Sequence, residues 1–172
     1  LAFNAEGMRE IVGFEVFDAE ENYSWITFLE KLKERGLKDV RMVISDSHKA
    51  IRKSVAEVYP DAAWQRCQAH FQRNILDVVP SRYKTAITLE LRKMFDSKTM
   101  EEARLIKDEL IADYEEVAEK AMKTLEEGFE ESMTAMCLPP TLRIKIRTTN
   151  ILERLNREFK RRSDVIQVFP NQ

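Results

Sequence analysis

Two carboxylates stand where a helix is about to begin. Asp46 follows the apolar run Val40-Arg41-Met42-Val43-Ile44 and precedes a helical pattern, the position at which α/β sheets present ligand-binding groups. The competing reading is a helix cap, because an aspartate there accepts hydrogen bonds from the free amides of the first turn. Glu153 carries the same two readings, since Asn150 and Glu153 have the spacing of a capping box. A carboxylate on the first turn of a helix is also rigidly aimed. Hard cations such as magnesium take one or two such oxygens and keep water and substrate phosphate as their other ligands. Spacing alone leaves both readings open.

Cys67 and His70 form a Cys-x-x-His pair, half of a zinc site. The other cysteine and histidine, Cys137 and His48, are distant in sequence and make no second pair. A buried thiol beside a hydrogen-bonded imidazole at the end of a strand is the reading preferred here. Trp64 is a candidate for stacking on a base, against the alternative of a core tryptophan. The final segment is strongly basic: Arg143, Lys145, Arg147, Arg154, Arg157, Lys160, Arg161 and Arg162 follow an acidic stretch between Asp96 and Glu131. The last five lie largely off the apolar stripe Ile151, Leu152, Leu155 and Phe159, so a phosphate backbone drawn to them would pass close to Glu153. A solvated charged face is the alternative, and the concentration of one sign argues against it.

The elements that must position these groups begin with a hairpin, Leu1 to Asn4 and Glu10 to Phe17. A helix capped by Asn22 or Ser24 carries Trp25, Phe28, Leu29 and Leu32 at helical spacing, and Gly36 stands where a left-handed terminal residue is wanted. The strand Val40 to Ile44, a helix Lys49 to Tyr59 stopped by Pro60, and a short strand Trp64 to Cys67 complete an alternating α/β start. Thereafter Lys84 to Phe95, Met100 to Tyr114 and Glu115 to Met136 read as helices. Pro139-Pro140 marks a boundary, and Asn150 opens the last helix.

With 172 residues, 44% hydrophobic and 34% charged, the chain can bury a core. A net charge of −2 does not announce a nucleic-acid binder; it conceals two opposite blocks. Two cysteines, an acidic beginning and no long apolar run imply a reduced, cytoplasmic setting with no membrane partner.

The stretch Val43-Ile-Ser-Asp-Ser-His-Lys-Ala50, then Tyr59-Pro60, Trp64-Gln-Arg-Cys-Gln-Ala-His-Phe71 and Arg73-Asn74, resembles the bacterial Mutator-type insertion-sequence transposases. So does Arg147-Thr-Thr-Asn-Ile-Leu-Glu-Arg-Leu-Asn-Arg-Glu-Phe-Lys-Arg-Arg162, with Val168-Phe169-Pro170-Asn171 behind it. Ala50 departs from the family's usual glycine. The resemblance implies a ribonuclease H-like α/β core with an all-helical insertion before the last catalytic helix. On that reading residues 1–74 begin the core, 75–140 are the insertion and 141–172 return to the core. It also implies an Asp, Asp, Glu triad holding two divalent metal ions, magnesium or manganese. Asp46 would be the second Asp and Glu153 the Glu, with Glu158 in reserve. Cys67 and His70 would support the site, and Arg147, Arg154, Arg157, Lys160, Arg161 and Arg162 would meet double-stranded DNA.

The family's first Asp lies on the first, central strand, upstream of the hairpin that opens this sequence; Asp18 resembles the family's loop and is not promoted to that role. The expectation is a core lacking its first central strand, with exposed edges that favour a rearranged sheet or a homo-oligomer, and a chain inactive by itself. The alternatives are a structure-selective nuclease, a non-catalytic remnant that binds DNA or intact transposase, and a helical protein whose capping carboxylates carry no chemistry.

Overall fold

A computed structural model describes residues 1–4, 7–15 and 22–166; Asp18 and the Val168-Phe169-Pro170-Asn171 segment lie outside them. Strands β1 (Ala2–Phe3) and β2 (Arg9–Glu10) form a two-stranded antiparallel hairpin. Its loop is tied by Asn4, whose amide donates to the Met8 carbonyl at 3.0 Å and whose side-chain oxygen accepts from the Met8 amide at 2.9 Å. Helix α1 (Asn22–Glu34) follows, and Gly36, at φ +101°, ends it in the left-handed region, as the sequence implies.

Strand β3 (Met42–Ser45), helix α2 (Lys49–Val58) and strand β4 (Ala63–Arg66) make a parallel unit in which Met42 pairs with Ala63 and Ser45 with Arg66. Helix α2 buries Ser54, Val55 and Val58 and packs on α1. Polar bonds fix that contact: Ser54 Oγ donates to Asn22 Oδ1 at 2.9 Å, and Tyr59 reaches the Leu29 and Leu37 carbonyls at 3.3 Å.

The rest is helical. Helices α3 (Gln68–Asp77) and α4 (Lys84–Asp96) pack against α5 (Met100–Ser132), and a short α6 (Pro140–Ile146) leads to α7 (Asn150–Ile166). Thr99 caps α5 by accepting from the Glu102 amide at 3.1 Å, while Glu102 accepts from the Lys98 amide at 2.8 Å. Ala118, at φ −145° and ψ 41°, breaks α5 into two helices. Arg104 meets Glu130 at 3.0 Å and Lys107 meets Glu126 at 2.7 Å, so the two halves fold back on each other. The expected division of this stretch near residue 115 is present, moved a few residues along.

The hydrophobic core lies among α3, α4 and α5, around Phe71, Ile75, Leu91, Met94, Leu125 and Phe129, rather than on a sheet. Strand β4 is anchored to it by Gln65, which is fully buried, donates to the Ser132 carbonyl and accepts from the Ala135 amide at 2.6 Å. The fold is therefore mixed α/β and mostly helical, with two separate two-stranded sheets among the described residues. The hairpin does not pair with β3, whose second edge meets no described strand.

Candidate active site

Parallel pairing brings the carboxyl ends of β3 and β4 to the same edge. The residues leaving the sheet there, Asp46 and Cys67, are consequently neighbours, and the Cys67 amide donates to the Ser45 carbonyl at 2.7 Å. Asp46 is exposed, and its Oδ1 accepts from the His48 amide at 3.2 Å. His48 occupies the cap position of α2 with no side-chain bond, so Asp46 shapes the turn before the helix and is not its cap. A carboxylate has about four acceptor sites, so one bond to an amide leaves capacity for a ligand.

Glu153 lies on the first turn of α7. Its amide donates to the Thr149 carbonyl at 3.0 Å, an early intrahelical bond of α7, which opens at Asn150 as the sequence implies. The half-buried Glu153 carboxylate meets Thr149 Oγ1 at 3.3 Å, His70 Nε2 at 3.4 Å and Arg73 Nη2 at 4.0 Å. His70 and Asn74, one turn apart on α3, line an open cleft of about 500 Å³ together with Asp46, Ser47, His48 and Lys49. His70 thus faces the Asp46 cleft and touches Glu153. Its Nδ1 is buried with no partner among the described residues.

Cys67 is fully buried, and its sulfur takes contacts from Thr149 N at 3.3 Å and Thr149 Oγ1 at 3.2 Å. Among the described residues no three His, Cys, Asp or Glu side chains gather as a metal-binding group. Trp64 serves the scaffold: its ring nitrogen donates to Ser45 Oγ at 3.0 Å, and Arg52 lies over the ring at 5.1 Å.

Along α7, Arg154, Arg157 and Lys160 are exposed. Arg161 and Arg162 both bond Glu158, and their hydrogen bonds hold its carboxyl down at about 2. Glu158 stands five residues beyond Glu153, roughly 140° around the helix, and so faces away from His70. Arg147 is occupied as a strut, donating to the Phe95 carbonyl at 3.0 Å and to Asp96 at 2.7 Å. The apolar stripe of α7 is only partly covered, with Leu152 and Phe159 among the exposed apolar side chains; Phe159 lies 5.2 Å from Phe14, centroid to centroid.

The family profile for Mutator-family transposases matches residues 1–172. The chain belongs to the Mutator family of transposases. It is 36% identical, over its whole length, to the transposase of insertion sequence element IS256 in transposon Tn4001 from Staphylococcus aureus, of which it covers 44%. It is 37% identical to the transposase of ISRM5 from Rhizobium meliloti over 96% of the chain and 42% of that protein. To the transposase of IS406 from Burkholderia multivorans it is 38% identical over 99% of the chain and 44% of that protein. The chain therefore spans less than half the length of these Mutator-family relatives.

Three residues at the site of this Mutator-family chain escaped the residue-by-residue reading. Thr149 sits inside the Arg147-Thr-Thr-Asn150 run, and its signal was the polar residue immediately ahead of a helix start. Arg73 and Asn74 lie about one turn after His70 on the same helix, so helical periodicity would have found them once α3 was placed.

Proposed function

We propose that this chain is a catalytic-core portion of a DNA transposase in which Asp46 and Glu153 bind divalent metal, magnesium or manganese, at a DNA phosphate. The observation that carries the reading is His70, which lines the cleft of Asp46 and touches Glu153 at 3.4 Å. Family membership makes DNA the expected substrate, and the exposed Arg154, Arg157 and Lys160 supply cations for its backbone on the helix that bears Glu153.

The donor set suits a hard cation. Asp46 is exposed and keeps acceptor capacity, and Glu153 offers carboxylate oxygens on a fixed helical turn. Two protein carboxylates match an ion that keeps water and substrate phosphate as its other ligands. In this reading a third carboxylate comes from outside the described residues, and so does a strand that pairs along the second edge of β3. When bound, the metal ions lower the pKa of an attacking water or 3′-hydroxyl and stabilise the departing oxygen. The chain's own residues do the rest: His70 and Thr149 fix the Glu153 carboxylate, Lys49 and Asn74 line the cleft beside Asp46, and the basic face of α7 holds the DNA. Strand cleavage and strand joining are then one displacement with two nucleophiles.

The same reading makes residues 1–74 and 141–172 two parts of a ribonuclease H-like core around the insertion 75–140. It is supported by the parallel β3–β4 pair, and by contacts between Cys67 and Thr149 that join the two parts. The test uses the full-length protein with a duplex bearing its element's terminal repeat, magnesium or manganese, and gel separation of cleaved and joined strands. Asp46→Asn and Glu153→Gln should each lower both reactions about a thousandfold, the rate equivalent of several kcal/mol of metal-derived stabilisation. Wild-type rates in either variant would sink the assignment. DNA binding without any cleavage by the unmodified protein would favour a non-catalytic remnant.

A further inference from the structure

Cys67 and Thr149 are 82 residues apart in sequence and meet beside Glu153. Cys67 is fully buried between β4 and α3, and its amide is fixed to the end of β3 through the Ser45 carbonyl at 2.7 Å. Next to it, the Gln68 amide donates to the Arg147 carbonyl at 3.1 Å. The link between α6 and α7 is therefore held at two points by the turn between β4 and α3.

Thr149 Oγ1 lies 3.2 Å from the Cys67 sulfur and 3.3 Å from Glu153 Oε1. One hydroxyl carries one proton and cannot donate to both. Every atom is satisfied when the Cys67 thiol donates to Thr149 Oγ1, the Thr149 hydroxyl donates to Glu153, and the Thr149 amide donates to sulfur at 3.3 Å. The result is a directional chain that begins at a buried sulfur and ends on the carboxylate touching His70. A buried small residue that merely filled space would have no reason to end on Glu153.

We infer that Cys67 and Thr149 are positioning residues that set the Glu153 carboxylate against His70 and thereby fix its placement relative to Asp46. This rests on the proposed reading only where it assigns Glu153 to a metal; the positioning itself is a property of the chain. Outer hydrogen-bond partners of a ligand of this kind are commonly worth 10–100-fold in affinity or activity.

The test uses the full-length protein in five variants, Thr149→Val, Thr149→Ser, Cys67→Ala, Cys67→Ser and Glu153→Gln, with two measurements. The first is the carboxyl carbon resonance of Glu153 in metal-free protein labelled at glutamate, assigned by its loss in Glu153→Gln. The second is manganese affinity by isothermal titration. Thr149→Val, which keeps the shape and removes the hydroxyl, should move the Glu153 resonance and weaken manganese by about 10–100-fold. Thr149→Ser should restore both. Cys67→Ala should act in the same direction as Thr149→Val, with partial recovery in Cys67→Ser. An unmoved Glu153 resonance in both Thr149→Val and Cys67→Ala overturns the inference, as does a resonance that Thr149→Ser fails to restore. Should Thr149→Val not fold, the Cys67 pair decides by the same criteria. If Glu153→Gln leaves manganese affinity intact, the metal assignment fails, and the resonance alone judges the positioning.

Discussion

His70 Nε2 lies 3.4 Å from Glu153 Oε1, joining the helix after β4 to the helix that carries the basic run. The same imidazole borders the Asp46 cleft, so it is the side chain that relates the two carboxylates. Its removal should damage chemistry more than binding. In the full-length protein His70→Ala should lower strand cleavage about 10–100-fold, the usual effect of losing a partner that orients a ligand. Affinity for duplex DNA should stay within about threefold, because phosphate contacts come from α7. Equal losses in cleavage and in DNA affinity would show that His70 acts on the fold or on DNA instead.

The cations of α7 are not equivalent, and salt dependence separates them. Arg161 and Arg162 are both engaged with Glu158, whereas Arg154, Arg157 and Lys160 have no ion pair recorded among the described residues. Replacing Arg154, Arg157 or Lys160 by alanine should each reduce the slope of log affinity against log salt by about 1. The same change at Arg162 should do less, because its partner Glu158 already neutralises it. Fluorescence anisotropy of a labelled duplex over a salt series measures the slopes. Identical slopes for all four variants would show that α7 is an ordinary solvated face.

Local rules were readable where periodicity and turn chemistry act within a few residues. The end of α1 at Gly36, strands β3 and β4, and the boundaries of α2 and α4 follow from apolar spacing and from Gly and Pro. The opening of α7 at Asn150 was legible in the same way, whereas the contact that ties Thr149, just ahead of it, to Cys67, 82 residues upstream, was not. The apolar stripe of α7 was legible, but its burial was not: a stripe states which face seeks a partner, and Phe159 lies against Phe14 while it and Leu152 stay partly exposed. Asp46 and Glu153 could be named as candidates from residue type and position. That His70 faces the cleft of one and touches the other is a tertiary fact, since neither spacing nor composition encodes which helix lies against which.

Gly128 tests how closely the helical block packs on the site's scaffold. A Cβ at this position would lie 2.5 Å from Arg66 Nη1 and 2.8 Å from Phe71 Cζ. Arg66 is itself confined: it stacks over the Phe71 ring at 4.5 Å, and burial pulls its guanidinium below the usual arginine range despite the nearby Glu131. The neighbours therefore cannot swing away freely. Gly128→Ala should destabilise the protein by about 1–3 kcal/mol through overpacking, although alanine is the better helix former by about 1 kcal/mol. Thermal or urea unfolding of the chain reads the change, and a stabilised variant would mean that the contact relaxes at no cost.

Glu158 gives a pH prediction whose sign follows from the direction of its shift. Hydrogen bonds from Arg161 and Arg162 depress its carboxyl from 4.5 to about 2. A depressed carboxyl contributes stability that is present in full above about 4.5, declines as the pH falls further, and is lost once the pH passes below about 2. Because the three side chains are exposed, the contribution is open to salt screening and should shrink at molar ionic strength. A carbon-detected titration of Glu158 should find its midpoint near 2 at low salt, and Arg161→Ala should raise it toward 4.5. The helical signal of the last turns of α7 should fade over the same interval in the unmodified chain and be independent of pH there in Glu158→Gln. A Glu158 midpoint that Arg161→Ala leaves in place would show that the pairing does not persist in solution, and Arg161 and Arg162 would then rank with Arg154 and Arg157 as cations available to DNA.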